Sequence, residues 1–140
     1  MSARDPDLRR FVVEFGMGVD QHGQDATAAC VKAVKDAVMR SCLAGLIEVV
    51  RLKDIRDILV EIEVACPHPE GANRQAILDA VPFGQKRLSV AAGGMAAHGL
   101  FQPELGDHTN EAYVANAAVT VWISASKMLA AWQEGLDPHG

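Results

Sequence analysis

The segment from Gly16 to Asp25 reads GMGVDQHGQD and combines an acid and an imidazole with three glycines. Asp20 and His22 stand two residues apart, so their side chains point the same way wherever the backbone is extended. A carboxylate beside an imidazole orients the ring and raises its pKa, which is the pairing that a general base uses. We therefore predict that His22 is catalytic and that Asp20 is its orienting acid.

Two other interpretations of this pair stay open. Carboxylate oxygen and imidazole nitrogen both bind divalent zinc, manganese or iron, so Asp20 and His22 are also candidate metal ligands, with a third from a histidine of region 97–111. No cofactor is predicted otherwise. In a purely structural role, Asp20 would form an Asx turn and His22 would bond the loop backbone.

The glycines of the segment do not fit a phosphate-binding loop. The third glycine, Gly23, lies two residues beyond the position that GxGxxG requires, and no GK[ST] sequence follows. Two carboxylates would also face the anion. We expect backbone amides to hold an oxyanion instead. The predicted substrate-binding residues are Gly16, Gly18, Gly23, Gly93, Gly94 and Asn116, the last because it is a polar group in an apolar run.

Further polar residues offer weaker alternatives. Cys66 and His68 flank Pro67. A role for Cys66 as a thiolate nucleophile is less favoured than a role as a small core residue. Glu14, Glu61 and Glu63 are expected to share one face of the sheet. The repulsion between their carboxylates would then be relieved by Lys86, Arg87 or a metal. Four residues of the predicted loop 97–111 are expected to fold over the site as a lid or to stay solvated: His98, Asp107, His108 and Glu111.

The hydrophobic pattern predicts the elements that hold these residues. Alternation predicts strands at Phe11–Met17, Ile58–Val64, Leu88–Ala92 and Ala112–Ser124. The first strand is expected to end in a turn from Gly16 to Gly23. A spacing of three and four predicts helices from Asp25 to Ser41, from Ala72 to Val81 and from Ser126 to Gln133, with Asp25 and Asn73 as N-caps. Leu46–Val50 is either a short strand or an edge turn.

This order predicts an α+β fold, a two-layer sandwich. Its mixed sheet of four to five strands carries two main helices on one face and a short C-terminal helix. The last strand is apolar or small on both sides, with Trp122 opposite the helix-facing set. A second apolar sheet face predicts a homo-oligomer, a trimer or a larger even-numbered assembly, unless the C-terminal helix folds back over that face.

Composition excludes several classes of protein. The 140 residues are 49% hydrophobic and 22% charged, with a net charge of −5. They fit one domain over 1–140, with 1–8 and 135–140 expected to be flexible. The acidic balance argues against a nucleic-acid partner, and no apolar run predicts a membrane partner. Three cysteines without a CxxC spacing and an N-terminus without a signal-peptide pattern predict a cytoplasmic protein.

The motif GMGVDQHG at 16–23 resembles the GxGxDxHG signature of a small family of conserved hypothetical proteins, found in bacteria and, with a long N-terminal extension, in plants. The resemblance covers about residues 9 to 124 and includes VPFG at 81–84, Gly93-Gly94 and ANAAVT at 115–120. It implies no activity, but it implies that Asp20 and His22 are more than loop residues. Region 97–111 does not match.

A second likeness is one of architecture and chain size only. The chain is similar to single domains of the cyclic-amide ring-opening hydrolases, cyanuric acid hydrolase and barbiturase, which pack a four-stranded sheet under two helices and build a barrel from three units. The Ser–Lys motif of those enzymes is missing here.

Together these observations predict an enzyme that acts on a small polar molecule near a subunit interface. The expected reaction is hydrolysis of an amide or related C–N bond. A metal-dependent enzyme and a non-catalytic binding or scaffold protein are the alternatives.

Overall fold

The computed structural model describes residues 5–136. The strands are β1 (Leu8–Asp20), β2 (Leu59–Cys66), β3 (Gln85–Ala92), β4 (Met95–His98) and β5 (Glu111–Ser124). The α-helices are α1 (Ala26–Val38), α2 (Ala44–Glu48), α3 (Arg74–Asp79) and α4 (Ala125–Leu136). Short 3-10 turns occupy Ile55–Asp57, Pro69–Gly71 and Pro103–Leu105. None of the helices in this part of the chain is both long and apolar enough to span a membrane.

The five strands form one mixed sheet in the order β1–β5–β2–β3. Strand β5 is antiparallel to both β1 and β2, while β2 and β3 are parallel. Strand β4 pairs with the first residues of β5, beyond the end of β2. The predicted α+β class with a mixed sheet is therefore confirmed, and the sheet has five strands.

The sheet has one face covered by helices and one open face. The core lies between the covered face and α1, where alternate residues of the central strands such as Ile62 and Val119 are buried. The open face carries the other alternate set, including Val13, Phe15, Met17 and Trp122. Helix α4 lies beside the segment 51–57, where Lys127 Nζ donates to Asp57 at 2.9 Å, so it does not fold back over the open face.

Strand β1 continues through Gly16 and Gly18 to Asp20, so the prediction of a turn that begins at Gly16 was wrong. Helix α1 lies so close to β1 that a Cβ at Gly18 would overlap the carbonyl oxygen of Ala29, and one at Gly16 would overlap that of Ala33. The glycines mark this close contact rather than a turn. The inner residues of α1 are correspondingly small, as the sequence predicted.

The predicted helix caps agree with the structure. Asp25 accepts from the backbone amide of Ala28 at the start of α1, and Asn73 accepts from that of Ala76 at the start of α3. The lengths of two helices differ from those predicted. Helix α3 has six residues within the predicted range Ala72–Val81, and the C-terminal helix α4 extends beyond the predicted Ser126–Gln133 at both ends.

Two other segments differ from their predictions. Leu46–Val50 is not a strand. Leu46 to Glu48 form the end of α2 and Val49 caps it, and the buried pair Leu46 and Val50 has a spacing of four that suits a helical turn. Region 97–111 is not loop throughout. Its first residues belong to β4, because β5 extends past the end of β2 and β4 pairs with that extension.

The two ends of the chain were expected to be flexible. Residues 1–4 and 137–140 lie outside the described residues. Asp7 accepts hydrogen bonds from Ser124 and Ser126, Leu8 is buried as the first residue of β1, and α4 extends to Leu136.

The close contact between α1 and β1 predicts a large cost for a single methyl group. Gly18→Ala should lower the free energy of unfolding by about 1–3 kcal/mol, because the new Cβ must push α1 away from the sheet. Gly71→Ala is the matched control, since a Cβ there meets no atom within 4 Å, and it should change stability by less than about 0.5 kcal/mol. Equilibrium urea unfolding followed by circular dichroism measures both. Equal stability of the two variants would contradict the packing argument.

Candidate functional site

The motif forms the connection between β1 and α1. Asp20, the last residue of β1, accepts a hydrogen bond from the backbone amide of Asp25 through Oδ2 at 2.8 Å. Its other oxygen lies 3.9 Å from Nζ of Lys32, which donates to the carbonyl of Val19. Asp20 is buried. It therefore closes the loop 21–25 and fixes where α1 begins, much as the structural interpretation of Asp20 expected.

His22 has an acidic partner, but the partner is Asp107. Nδ1 of His22 lies 2.8 Å from Oδ2 of Asp107, whose side chain is 0% exposed, while the imidazole is 29% exposed. The pairing of Asp20 with His22 inferred from their spacing is therefore corrected. The carboxylate of Asp20 is engaged by the backbone of Asp25, and loop 99–110 brings Asp107 to the ring instead.

The Asp107 carboxylate accepts four hydrogen bonds. Besides His22, the donors are the backbone amides of Gly23 at 2.8 Å and Gln102 at 2.9 Å and the side-chain amide of Gln24 at 3.1 Å. These donors, His22 first, hold the pKa of Asp107 well below its ordinary value, against the opposing effect of burial.

The ionised state of Asp107 determines the tautomer of His22. A carboxylate only accepts, so Nδ1 of His22 carries the proton that is shared with it. In the neutral ring Nε2 then holds a free lone pair. The arrangement therefore provides an oriented imidazole with one nitrogen available to accept a proton or to bind a metal ion.

Gln24 connects the motif to loop 99–110. Its side chain donates to the carbonyl of Glu111 at 2.8 Å and accepts from the backbone amides of His108 at 2.9 Å and Thr109 at 3.3 Å. Gln24 has a φ of 51°, an unfavourable backbone conformation for a residue with a side chain. These hydrogen bonds hold it there, and they fix the loop over the motif.

Tyr113 and His68 lie at the end of the sheet where β1 ends and β5 begins. Tyr113 is the register partner of Asp20, and its ring centroid is 5.5 Å from that of His68. Burial raises the pKa of the Tyr113 hydroxyl, and the charges of Glu111 and Glu70 add to that shift. His68, like Gln24, has a φ of 51°. Two residues with this strained backbone therefore lie beside the motif.

The predicted substrate-binding glycines have other contacts. Gly16 and Gly18 lie under α1. Gly23 adopts a φ of 93° and gives its N–H to Asp107, so a residue with a Cβ would be strained there. Gly93 gives its N–H to the carbonyl of Cys66, and Gly94, with a φ of 64°, crosses over the end of β2 against Val114.

Asn116 lies on the open face, where it is exposed, whereas Asp20 lies on the covered face. The structure therefore does not place Asn116 beside Asp20.

The weaker alternatives fare differently. Glu14 lies on the covered face, while Glu61 and Glu63 lie on the open face, so the predicted three-carboxylate face was wrong. The register decides this, because Glu14 is level with Val119 whereas Glu61 is level with Thr120. Cys66 is buried in the core, as the favoured interpretation expected.

The Cys30 thiol in the core is not activated. Cys30 is buried next to Cys66, and burial together with the hydrogen bond that its thiol donates to Cys66 raises the pKa of Cys30 to about 12. A raised thiol pKa opposes the formation of a nucleophilic thiolate.

Residues 5–136 contain no cluster of three or more His, Cys, Asp or Glu side chains that could hold a metal ion. The three main cavities of the same residues, of about 210, 200 and 480 Å³, are lined by neither Asp20, His22 nor Asp107. None of these three cavities therefore includes the motif, in which His22 is partly exposed while Asp20 and Asp107 are buried.

The fold and the motif define a class of protein, a two-layer α+β domain whose first strand contains two glycines under its first helix. A family model described as a conserved hypothetical protein, Lin0512_fam, matches residues 10–121, and the chain belongs to that family. This confirms that the chain belongs to an uncharacterised family. The signature motif and the likeness to cyclic-amide hydrolases stay predictions.

A solved structure is also similar to this chain. It is the crystal structure of an FtsZ-like protein of unknown function from Nostoc punctiforme PCC 73102. The two chains are 42% identical, with a TM-score of 0.77, over 84% of this chain and 97% of that one. No curated protein matches the sequence. The comparisons therefore support the fold and the family and supply no activity.

From the sequence, Asp107 was expected only as part of a lid, and no role was expected for Gln24 or Tyr113. His22 and Asp107 are 85 residues apart, and no local spacing relates them. One signal was available, because Asp107 is the only aspartate in the loop that was expected to cover the motif.

The shared carboxylate predicts a local effect of Asp107→Asn. An asparagine has one acceptor oxygen in place of two, so it cannot accept from both Gly23 and Gln102. Amide hydrogen exchange at one or both of these residues should become about ten-fold faster or more. Glu104→Gln, an exposed substitution in the same loop, should leave both rates unchanged.

The pH dependence of the same amides follows from the lowered pKa of Asp107. The carboxylate stabilises the folded loop at and above its ordinary pKa of 3.8, and this contribution is lost only as pH falls further. Protection factors at Gly23 and Gln102 should therefore stay constant from neutral pH to about pH 4. A loss of protection already at pH 6 would show that Asp107 is not the acceptor.

Proposed function

We propose that the protein is an enzyme that hydrolyses an amide or related C–N bond of a small polar molecule, with His22 as its general base. The observation that carries the proposal is the imidazole held through Nδ1 by ionised Asp107, with Nε2 left to accept a proton. Because the ring is partly exposed, water and a substrate can reach it.

The proposed reaction uses this nitrogen twice. Nε2 of His22 takes a proton from a water molecule as the water oxygen attacks the substrate carbonyl carbon, which gives a tetrahedral oxyanion. The C–N bond then breaks, and the imidazolium returns the proton to the leaving nitrogen. The charge on Asp107 stabilises the imidazolium between these two steps. Asp20 acts as a positioning residue, because it holds the loop that carries His22.

The local backbone also supports a functional site. Gln24 and His68 are both held at a φ of 51°, and such strained conformations cluster at sites where chemistry or binding needs a fixed geometry. The amides of Gly23 and Gly93 are already bonded, so they are not free to hold an oxyanion. We therefore infer that the oxyanion donors are other groups than these two glycine amides.

We further propose that copies of the chain associate and that the site lies near their interface. On the open face Phe15 is 72% and Met17 is 57% exposed, and no helix of residues 5–136 covers them. Trp122 on the same face is buried, with no acceptor for its Nε1 within the described chain. Next to the motif, loop 99–110 exposes Leu100 and Phe101. A trimer or a larger even-numbered assembly would cover these surfaces.

Two alternatives remain, each with its own observation. The contact between Asp107 and His22 is also the arrangement in which a carboxylate orients a metal-binding imidazole, so a divalent metal at His22 and Asp20 is the second proposal. None of the three cavities described above reaches the motif, which favours the third proposal, a binding or scaffold protein without catalysis. The free cysteines Cys30, Cys42 and Cys66 support the proposed cytoplasmic location.

Removing the imidazole tests the enzymatic proposal. The substrates are a panel of linear amides, cyclic imides and ureides, with products followed by proton NMR. His22→Ala should lower kcat/KM by about 10²–10⁴-fold for any compound that the native protein hydrolyses, because the general base is lost. Glu104→Gln should keep the native rate.

The same assay separates the alternatives. Hydrolysis that is abolished by EDTA and restored by zinc or manganese supports the metal-dependent enzyme. Hydrolysis by His22→Ala at the native rate, or no hydrolysis of any compound by the native protein, would overturn His22 as the base of this reaction class.

Placing a charge on the open face tests the association. Phe15→Glu should convert the assembly to monomers, because a carboxylate cannot be buried without a partner. Met39→Glu is the matched control, since Met39 is similarly exposed but lies at the end of α1 on the other side of the sheet. Light scattering coupled to gel filtration measures both masses. A native protein that is already monomeric at micromolar concentration contradicts the proposed assembly.

A further inference from the structure

A cavity of about 200 Å³ lies on the covered face, away from the motif. Its floor is the sheet, where Val119 of β5 and Val60 of β2 contribute, and its walls come from the end of α1 and from α2. Of its twelve lining residues only Glu14 and Ser41 are polar. The cavity is therefore a small apolar space with one charged group.

Glu14 is an unusual residue for its position. It is half-buried on β1, with its side chain on the covered face, and its register partner Val119 is almost completely buried. Among the described residues Glu14 has no hydrogen-bond or ion-pair partner. Its side chain lines the apolar cavity, and no cationic side chain of the described residues pairs with it.

The mouth of the cavity also suits a ligand. Ile47 of α2 and Ile55 line the cavity and are exposed. Apolar side chains at the entrance of an apolar cavity with one convergent polar group are typical of small-molecule sites. The volume sets the size of the ligand, because an apolar cavity of about 150 Å³ holds benzene.

We propose that this cavity binds a small primary amine with a compact apolar body, the ammonium group paired with Glu14 and the apolar body against Val60 and Val119. The ion pair supplies the missing partner of the carboxylate, and the apolar walls supply the contact area. The site is independent of His22 and Asp107, since neither lines the cavity. The tests of this amine site and of the proposed hydrolase are therefore independent of each other.

Benzylamine is the probe, and benzyl alcohol is its neutral counterpart of the same shape. Titration of the full-length protein at millimolar ligand should shift the methyl NMR signals of Val60, Val119 and Leu46, all of which line the cavity. Benzylamine should bind at least ten-fold more tightly than benzyl alcohol. Glu14→Gln should remove this preference, whereas Glu104→Gln should keep it.

A second variant tests whether the ligand occupies the cavity itself. Val38→Phe places a ring in the space that the ligand would fill, so it should abolish binding of both compounds. Thermal unfolding and the unaffected methyl signals of the opposite end of the sheet verify that each variant is folded. The proposal is overturned if benzylamine leaves the lining methyl groups unshifted. Equal binding of the amine to the native protein and to Glu14→Gln also overturns it, since the site would then be apolar only.

Discussion

The close contact between α1 and β1 is the constraint on which the rest of the structure depends. The backbone of α1 occupies the space where side chains of Gly16 and Gly18 would lie. This fixes the height and direction of the helix above the sheet. Because α1 begins at Ala26, with Asp25 as its N-cap, the loop 21–25 has to turn within five residues, and Asp20 closes it with one hydrogen bond. The position of His22 is therefore a consequence of helix packing.

The buried carboxylate of Asp107 then joins the connection between β1 and α1 to loop 99–110. Asp107 receives donors from the motif and from its own loop, and in a poorly solvated environment each hydrogen bond is stronger than in water. The same contact holds loop 99–110 in place and sets the tautomer of His22. The structural and the chemical interpretations of the motif are thus compatible, because orienting the ring requires a rigid loop.

Both proposed sites involve strand β1. Glu14 of one site lies within the strand, and Asp20, its last residue, holds the loop that carries His22 of the other site. Glu14 and Asp20 lie on the same face of the strand, six residues from each other, and α1 covers the stretch between them. One site is an apolar cavity with an unpaired carboxylate, and the other is an exposed imidazole with a paired one. The open face behind both carries the apolar side chains that we assign to association between copies.

Local sequence patterns were enough to predict the strands with clear alternation, the caps at Asp25 and Asn73, the mixed α+β class and the motif that contains His22. These features depend on neighbours within a few residues, where periodicity and capping act directly. The tertiary fold was needed to show that β1 passes through its glycines and that Asp107, rather than Asp20, is the partner of His22. Each of these depends on contacts between segments far apart in the chain, which no local spacing encodes.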